Sequence, residues 1–205
     1  MLTVYLLRHG ETLWNADGNR YCGATDIGLT DKGIRQAYLA AEALAGISVE
    51  AIYSSPLERA FRTAQIASGS PENVRIDQRL IEANFGQWEG KTKEEFIAES
   101  PDLWDAWCQT PANTRAGGDG ETAMEVIRRV DDFFWEMCTK HASGSILVVA
   151  HNAVNRFYMA WKLGMPLQNY RKLVQENASV TSFSLDAGGE FSLLKLNCSA
   201  NTTLI

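Results

Sequence analysis

Ile146-Leu147-Val148-Val149-Ala150-His151 is the stretch on which the reading of the fold turns. It is a continuous apolar run without polar alternation, the pattern of a central parallel strand buried on both faces. The run ends abruptly at a histidine. Leu2-Thr3-Val4-Tyr5-Leu6-Leu7 reads as another strand, and it runs directly into Arg8-His9. Ala51-Ile52-Tyr53-Ser54 is a third, shorter one, followed by Ser55.

Helical patterns separate these strands. From Thr30 the apolar positions Ile34, Tyr38, Ala41 and Leu44 follow helical spacing toward a C-terminal cap at Gly46. Ser55-Pro56-Leu57-Glu58 reads as a capping box, with Leu57, Phe61 and Ala64 forming one face beyond it. Thr92-Lys93-Glu94-Glu95 and Thr122-Ala123-Met124-Glu125 are two more boxes. The second opens a long amphipathic helix through Ile127, Val130, Phe134 and Met137. After His151 another helix carries Val154, Phe157 and Trp161, and Val180–Leu185 and Phe191–Leu196 around Gly188-Gly189 predict a hairpin. The alternation predicts one α/β domain over residues 1–205, a three-layer α/β/α sandwich with a mostly parallel central sheet. The stretch from Ile81 to Ala116 fits it poorly. Rich in tryptophan (Trp88, Trp104, Trp107), it reads as a cap inserted over one end of the sheet, its tryptophans as cap core.

The chain has 205 residues, 45% of them apolar, and a formal net charge of −6. That balance offers no electrostatic footprint for nucleic acid or an anionic membrane. No apolar run approaches the roughly 20 residues of a membrane span, and Arg8-His9 interrupts the first run too early for a secretory signal. Cys22, Cys108, Cys138 and Cys198 are scattered without a C-x-x-C pair. Reduced thiols and a cytoplasmic setting follow, with the N-x-[ST] triplets near the C-terminus read as chance.

The chemistry lies at the strand ends. Ligands of open α/β sheets bind outside the carboxyl ends of the strands. His9 and His151, each directly after a strand, are expected to share one crevice. Arg8 is beside His9, and Arg59 lies one turn into the helix after Ser54-Ser55, with Arg62 able to share its face. Two imidazoles with two guanidiniums suit a dianionic phosphoryl group. The helix after His151 is expected to add backbone N–H donors, capped by Asn152. Glu82 is the best-placed proton donor. His141, late in a helix, reads as a complement to the helix C-terminus.

Leu7-Arg8-His9-Gly10-Glu11-Thr12 with Trp14-Asn15 resembles the R-H-G-E-[ST]-x-x-N signature of the histidine phosphatase superfamily, phosphoglycerate mutase-like branch. Tyr53-Ser54-Ser55-Pro56-Leu57-Glu58-Arg59-Ala60, Leu80-Ile81-Glu82 with Phe85-Gly86-Trp88-Glu89-Gly90, Gly120-Glu121-Thr122 and Val148-Val149-Ala150-His151 are similar to its further motifs, in family order. The resemblance implies a metal-free, cofactor-free phosphomonoester hydrolase acting on a small phosphorylated metabolite. His9 is then the nucleophile that becomes phosphohistidine, and Glu82 the general acid and base. Arg8, Arg59 and His151 are catalytic groups around the phosphoryl oxygens, with Asn15 and Asn152 as further phosphate contacts. Asn152-Ala153 stands where relatives have Gly-Gly, Cys22 where many have glutamine, and Asp119 where a glycine is usual. All three bear on substrate identity, which stays open, as does a homodimer.

Four other readings are separable. A cofactor-dependent phosphoglycerate mutase would share the phosphohistidine, but mutases of the family carry a longer insertion after the acid loop. A zinc hydrolase lacks its ligand cluster, since only His9, His141 and His151 are available and no H-E-x-x-H is present. A non-catalytic phosphate-binding relative would be expected to have lost the histidine, arginine or acid. A nucleotide site is disfavoured because Gly117-Gly118-Asp119-Gly120 does not follow a strand.

Overall fold

A computed structural model describes residues 1–199. Strands β1 (Leu2–Arg8), β2 (Ala51–Ser54), β3 (Val74–Ile76), β4 (Gly144–Ala150), β5 (Val180–Leu185) and β6 (Phe191–Cys198) form one sheet in the order β3-β2-β4-β1-β5-β6. The first four are mutually parallel and β5 runs antiparallel to both its neighbours, β1 and β6, so the sheet is mixed but mostly parallel.

The strand at 146–150 is apolar throughout because both its faces are buried. Ile146, Val148 and Ala150 join one core with Val4, Leu6 and Tyr53; Leu147 and Val149 join the other with Leu7 and Ile52. Helices α6 (Ala123–Lys140) and α7 (Asn152–Lys162) cover the first face, and α2 (Asp31–Ala43) and α3 (Glu58–Ser68) the second. The short α1 spans Leu13–Ala16. Thr92 and Thr122 close the two expected capping boxes.

Several local expectations are corrected. Helix α2 buries Gly33, Ala37 and Ala40, while Tyr38 is exposed. Small residues are buried there because α2 packs closely on the alanine face of α3, Ala60, Ala64 and Ala67. Ser55 is no cap: Leu57 is the N-cap residue of α3, without a side-chain bond. The edge strand β3 gave no sequence signal, being three residues long and largely exposed. Of the N-x-[ST] triplets, the one at Asn201 lies outside the described residues.

Between 81 and 116 lie α4 (Lys93–Glu99) and α5 (Pro101–Gln109). The tryptophans of this stretch are core: Trp88, just before α4, stacks on Phe96 at 4.7 Å, and Trp107 meets Phe157 of α7 at 6.1 Å.

Candidate active site

Strand register sets the site. Leu7 pairs with Val149 and Arg8 with Ala150, while Ser54 pairs with the same Val149. Three neighbouring parallel strands therefore stop level, and Ser55, His151 and His9 leave them side by side. The His9 amide donates to the Ala150 carbonyl at 3.1 Å, and the Ser55 amide to Val149 at 3.0 Å. The two imidazole centroids are 5.1 Å apart.

His9 is pinned through one ring nitrogen. Its Nδ1 is 2.6 Å from the Gly10 carbonyl oxygen. A carbonyl only accepts, so Nδ1 carries the proton and Nε2 keeps its lone pair. Desolvation, then the charges of Arg59 and Arg8, hold His9 well below the ordinary imidazole value, so the ring is neutral. The carbonyl is held in place by close packing: a Cβ on Gly10 would lie 2.4 Å from the Gly33 oxygen. The Gly10 amide donates to Thr63 Oγ1 at 3.1 Å.

His151 is fully buried at the start of α7, with Nε2 2.7 Å from Ser55 Oγ and Nδ1 without a protein partner. Ser55 Oγ also accepts from the Leu57 amide at 3.3 Å. Desolvation, then Arg59, lowers its pKa well below the ordinary value.

The arginines differ from one another. Arg8 lines the cleft and donates from Nη1 to the Gln175 carbonyl at 2.6 Å, leaving Nε unpartnered. Burial lowers its pKa to about 10, so it stays charged at neutral pH. Arg59 is the second residue of α3, in its first turn, and fully buried. Its Nη atoms donate to the carbonyls of Gly23 at 2.6 Å and Thr25 at 2.8 Å, and Nε is free. It lies behind the cleft surface, close enough to act on both histidines. Arg62 does not join it: its side chain is exposed and reaches Gln65.

Glu82 is buried at the cleft, but its place corrects the expected role of the helix end. Oε1 accepts from the amides of Ala83 at 2.9 Å and Val154 at 3.1 Å, and Oε2 from Ala153 at 3.2 Å. The donors at the start of α7 thus hold the acid. Asn152 is the first residue of the helix, with His151 as its cap; it lines the cleft, its Oδ1 unpartnered. Asn15 also lines the cleft, and its Oδ1 accepts from the Thr12 backbone amide at 3.2 Å and from Asn177 Nδ2 at 3.3 Å. Cys22 lies beside them with its thiol pKa raised by burial, which keeps it protonated and unreactive. His141 caps α6 and contacts Tyr53 and Glu50, away from the cleft.

Sequence reasoning missed the supports. Arg129 donates to the carbonyls of Arg79, Ile81 and Glu82 and pairs with Glu121, fixing the acid-bearing loop. Glu89 accepts from the amides of Ala24, Thr25 and Phe85, tying the loop that Arg59 grips to the segment that follows Glu82. Glu89 stood inside a quoted motif, but only distant chain segments show what either residue holds. Arg156, Tyr170 and Arg171 complete the cleft wall, and spacing gave no hint of them. Among the described residues no His, Cys, Asp and Glu side chains gather into a group able to hold a metal ion, and no helix is long and apolar enough to cross a membrane.

Comparison with known proteins finds relatives that span the chain. Phosphoserine phosphatase 1 of Hydrogenobacter thermophilus is 33% identical over 198 residues, covering 96% of this chain and 92% of that protein. A probable phosphoglycerate mutase GpmB of Erwinia tasmaniensis is 32% identical over 182 residues, covering 88% and 84%. The crystal structure of a histidine-to-alanine variant of Entamoeba histolytica phosphoserine phosphatase, in complex with phosphoserine, superposes with a TM-score of 0.88 at 29% identity and full coverage of both chains. The profile of the histidine phosphatase superfamily, branch 1, matches residues 4–199, and with the two level histidines, the buried arginines and the amide-held glutamate it establishes that the chain belongs to that superfamily.

Proposed function

We propose that this protein hydrolyses small phosphomonoesters in two steps through a phosphohistidine on His9. The observation that carries the reading is a neutral His9, its Nδ1 proton held by Gly10, whose Nε2 shares a cleft with Arg8 and Glu82. In the first step Nε2 attacks phosphorus in line, the N–P bond forms and the ester P–O bond breaks. Glu82 gives the leaving alkoxide its proton. In the second step Glu82 takes a proton from water, which attacks phosphorus and releases His9 and inorganic phosphate. Arg8 lines the space in which charge redistributes over the phosphoryl oxygens, and the Arg59 guanidinium and the His151 ring act on that charge from just behind the cleft surface. Asn15 and Asn152 border the same space.

The four cysteines are unpaired, in keeping with a reducing, cytoplasmic setting. The GpmB relative keeps a mutase as the second reading. A mutase would return the phosphoryl group of the same intermediate to an alcohol rather than to water. The test is to quench the enzyme during turnover and examine it by mass spectrometry and phosphorus NMR. A phosphoryl group on His9, labile in acid and stable in base, is expected together with stoichiometric phosphate release. Isomerised ester without phosphate would establish the mutase. Absence of phosphohistidine under conditions that slow dephosphorylation would sink the mechanism.

A further inference from the structure

Although the chain is acidic overall, its cleft is not. Arg8, Arg20, Arg156 and Arg171 line it against one carboxylate, Glu82. Arg8 belongs with the phosphoryl group, and Arg20 is neutralised by Asp17 and Glu95. Arg156 and Arg171 remain. Among the described residues neither has a carboxylate within ion-pair distance.

Aromatic rings hold them instead. Arg156 lies over Tyr170 at 5.3 Å and donates from Nε to the Tyr170 carbonyl at 3.3 Å. Arg171 lies over Tyr170 at 4.5 Å and over Trp104 at 4.6 Å. Stacking occupies the faces of a guanidinium and leaves its in-plane N–H edge free to fork onto an anion. Arg171 Nη2 is buried and has no partner. A buried donor without an acceptor is costly, and a ligand is the natural source of one. Desolvation lowers the pKa of Arg156 and the charge of Arg171 lowers it further, as expected of two cations awaiting a counter-charge.

Resting on the hydrolase reading, we propose that Arg156 and Arg171 form a distal subsite for a carboxylate, so that the preferred substrates are phosphomonoesters carrying a carboxylate at their other end. The planar fork matches a carboxylate. A cleft of about 150 Å³ is small beside the roughly 300–1,000 Å³ of drug-sized sites, which limits the remainder of the ester to a few atoms.

The experiment compares 3-phosphoglycerate with glycerol 3-phosphate, which replaces the carboxylate by a hydroxymethyl group. Wild type is expected to prefer the former in kcat/KM by about tenfold or more. Arg156→Gln and Arg171→Gln should each reduce that ratio by about tenfold, mainly through KM for the carboxylated ester. A purely structural role would slow both esters alike and leave the ratio unchanged. An unchanged ratio in both variants, or no preference in wild type, overturns the subsite. Preference for propane-1,3-diol bisphosphate over 3-phosphoglycerate overturns the carboxylate assignment. If wild type releases phosphate from none of these esters or from p-nitrophenyl phosphate, the hydrolase reading fails. Calorimetric binding of the first two compounds to His9→Ala then decides the subsite by itself: tighter binding of the carboxylate supports it, and equal binding overturns it.

Discussion

At the floor of the cleft the reactive side chains are tied to backbone. His9 leans on the Gly10 carbonyl, Arg8 on Gln175, Arg59 on Gly23 and Thr25, and Glu82 on three amides. At the outer wall Arg156 and Arg171 lie on ring faces, with one backbone bond between them. Directional bonds to the backbone hold a group to a fraction of an ångström, which in-line chemistry requires. Contacts over an aromatic face are softer. A wall of that kind can be altered residue by residue while the floor stays in place, so the floor is suited to the reaction and the wall to the choice of ester.

The most severe way to break this contrast is at the nucleophile. His9→Ala should fold and lose activity on every ester by at least about a thousandfold. A folded His9→Ala enzyme with substantial turnover would show that the floor does not act as argued. Glu82→Gln comes next. With alkyl esters the expected loss is about a hundredfold or more, and with p-nitrophenyl phosphate much less, because that leaving group needs little protonation. Equal losses on both would remove Glu82 from the proton-transfer role and leave it a support of α7.

Acid should strain the floor before the wall. Both histidines titrate well below 6.5 when folded and near 6.5 when unfolded. The unfolded chain therefore binds protons that the folded chain does not, and stability falls as pH drops below 6.5. Each histidine contributes at most about 1.4 kcal/mol per pH unit in that window. Urea midpoints measured between pH 7.5 and 5.5 would reveal the slope, and kcat/KM should show no acid limb centred at 6.5 from His9. A flat midpoint would mean that the imidazoles are not held neutral. The smallest expected effect is at Ser55→Ala, about threefold to tenfold in kcat, through loss of the hydrogen bond that orients His151. Its kcat–pH profile should shift relative to wild type, and an unchanged profile would limit Ser55 to packing.

Legibility followed the range of the interactions. The strand ending at His151 was readable because burial on both faces leaves an unbroken apolar run, and Thr92 and Thr122 because a capping box closes within four residues. Ser55 showed the same local pattern and took another partner, since the level ending of β2 and β4 brought His151 within 2.7 Å. The buried face of α2 was misread for a similar reason: its close approach to α3 favours alanine and glycine over the larger Tyr38.

By itself, then, the sequence determined the alternating α/β order, the histidines at two strand ends and the candidate acid, all of which depend on periodicity and on residues near one another in the chain. Only the tertiary structure decided that the amides of α7 hold Glu82, that Arg59 grips the Gly23–Thr25 loop while Arg62 faces solvent, and that Arg156 and Arg171 share Tyr170 at the cleft wall. Those arrangements depend on which backbone donors and ring faces packing brings together from segments tens of residues apart, and no local pattern encodes that meeting.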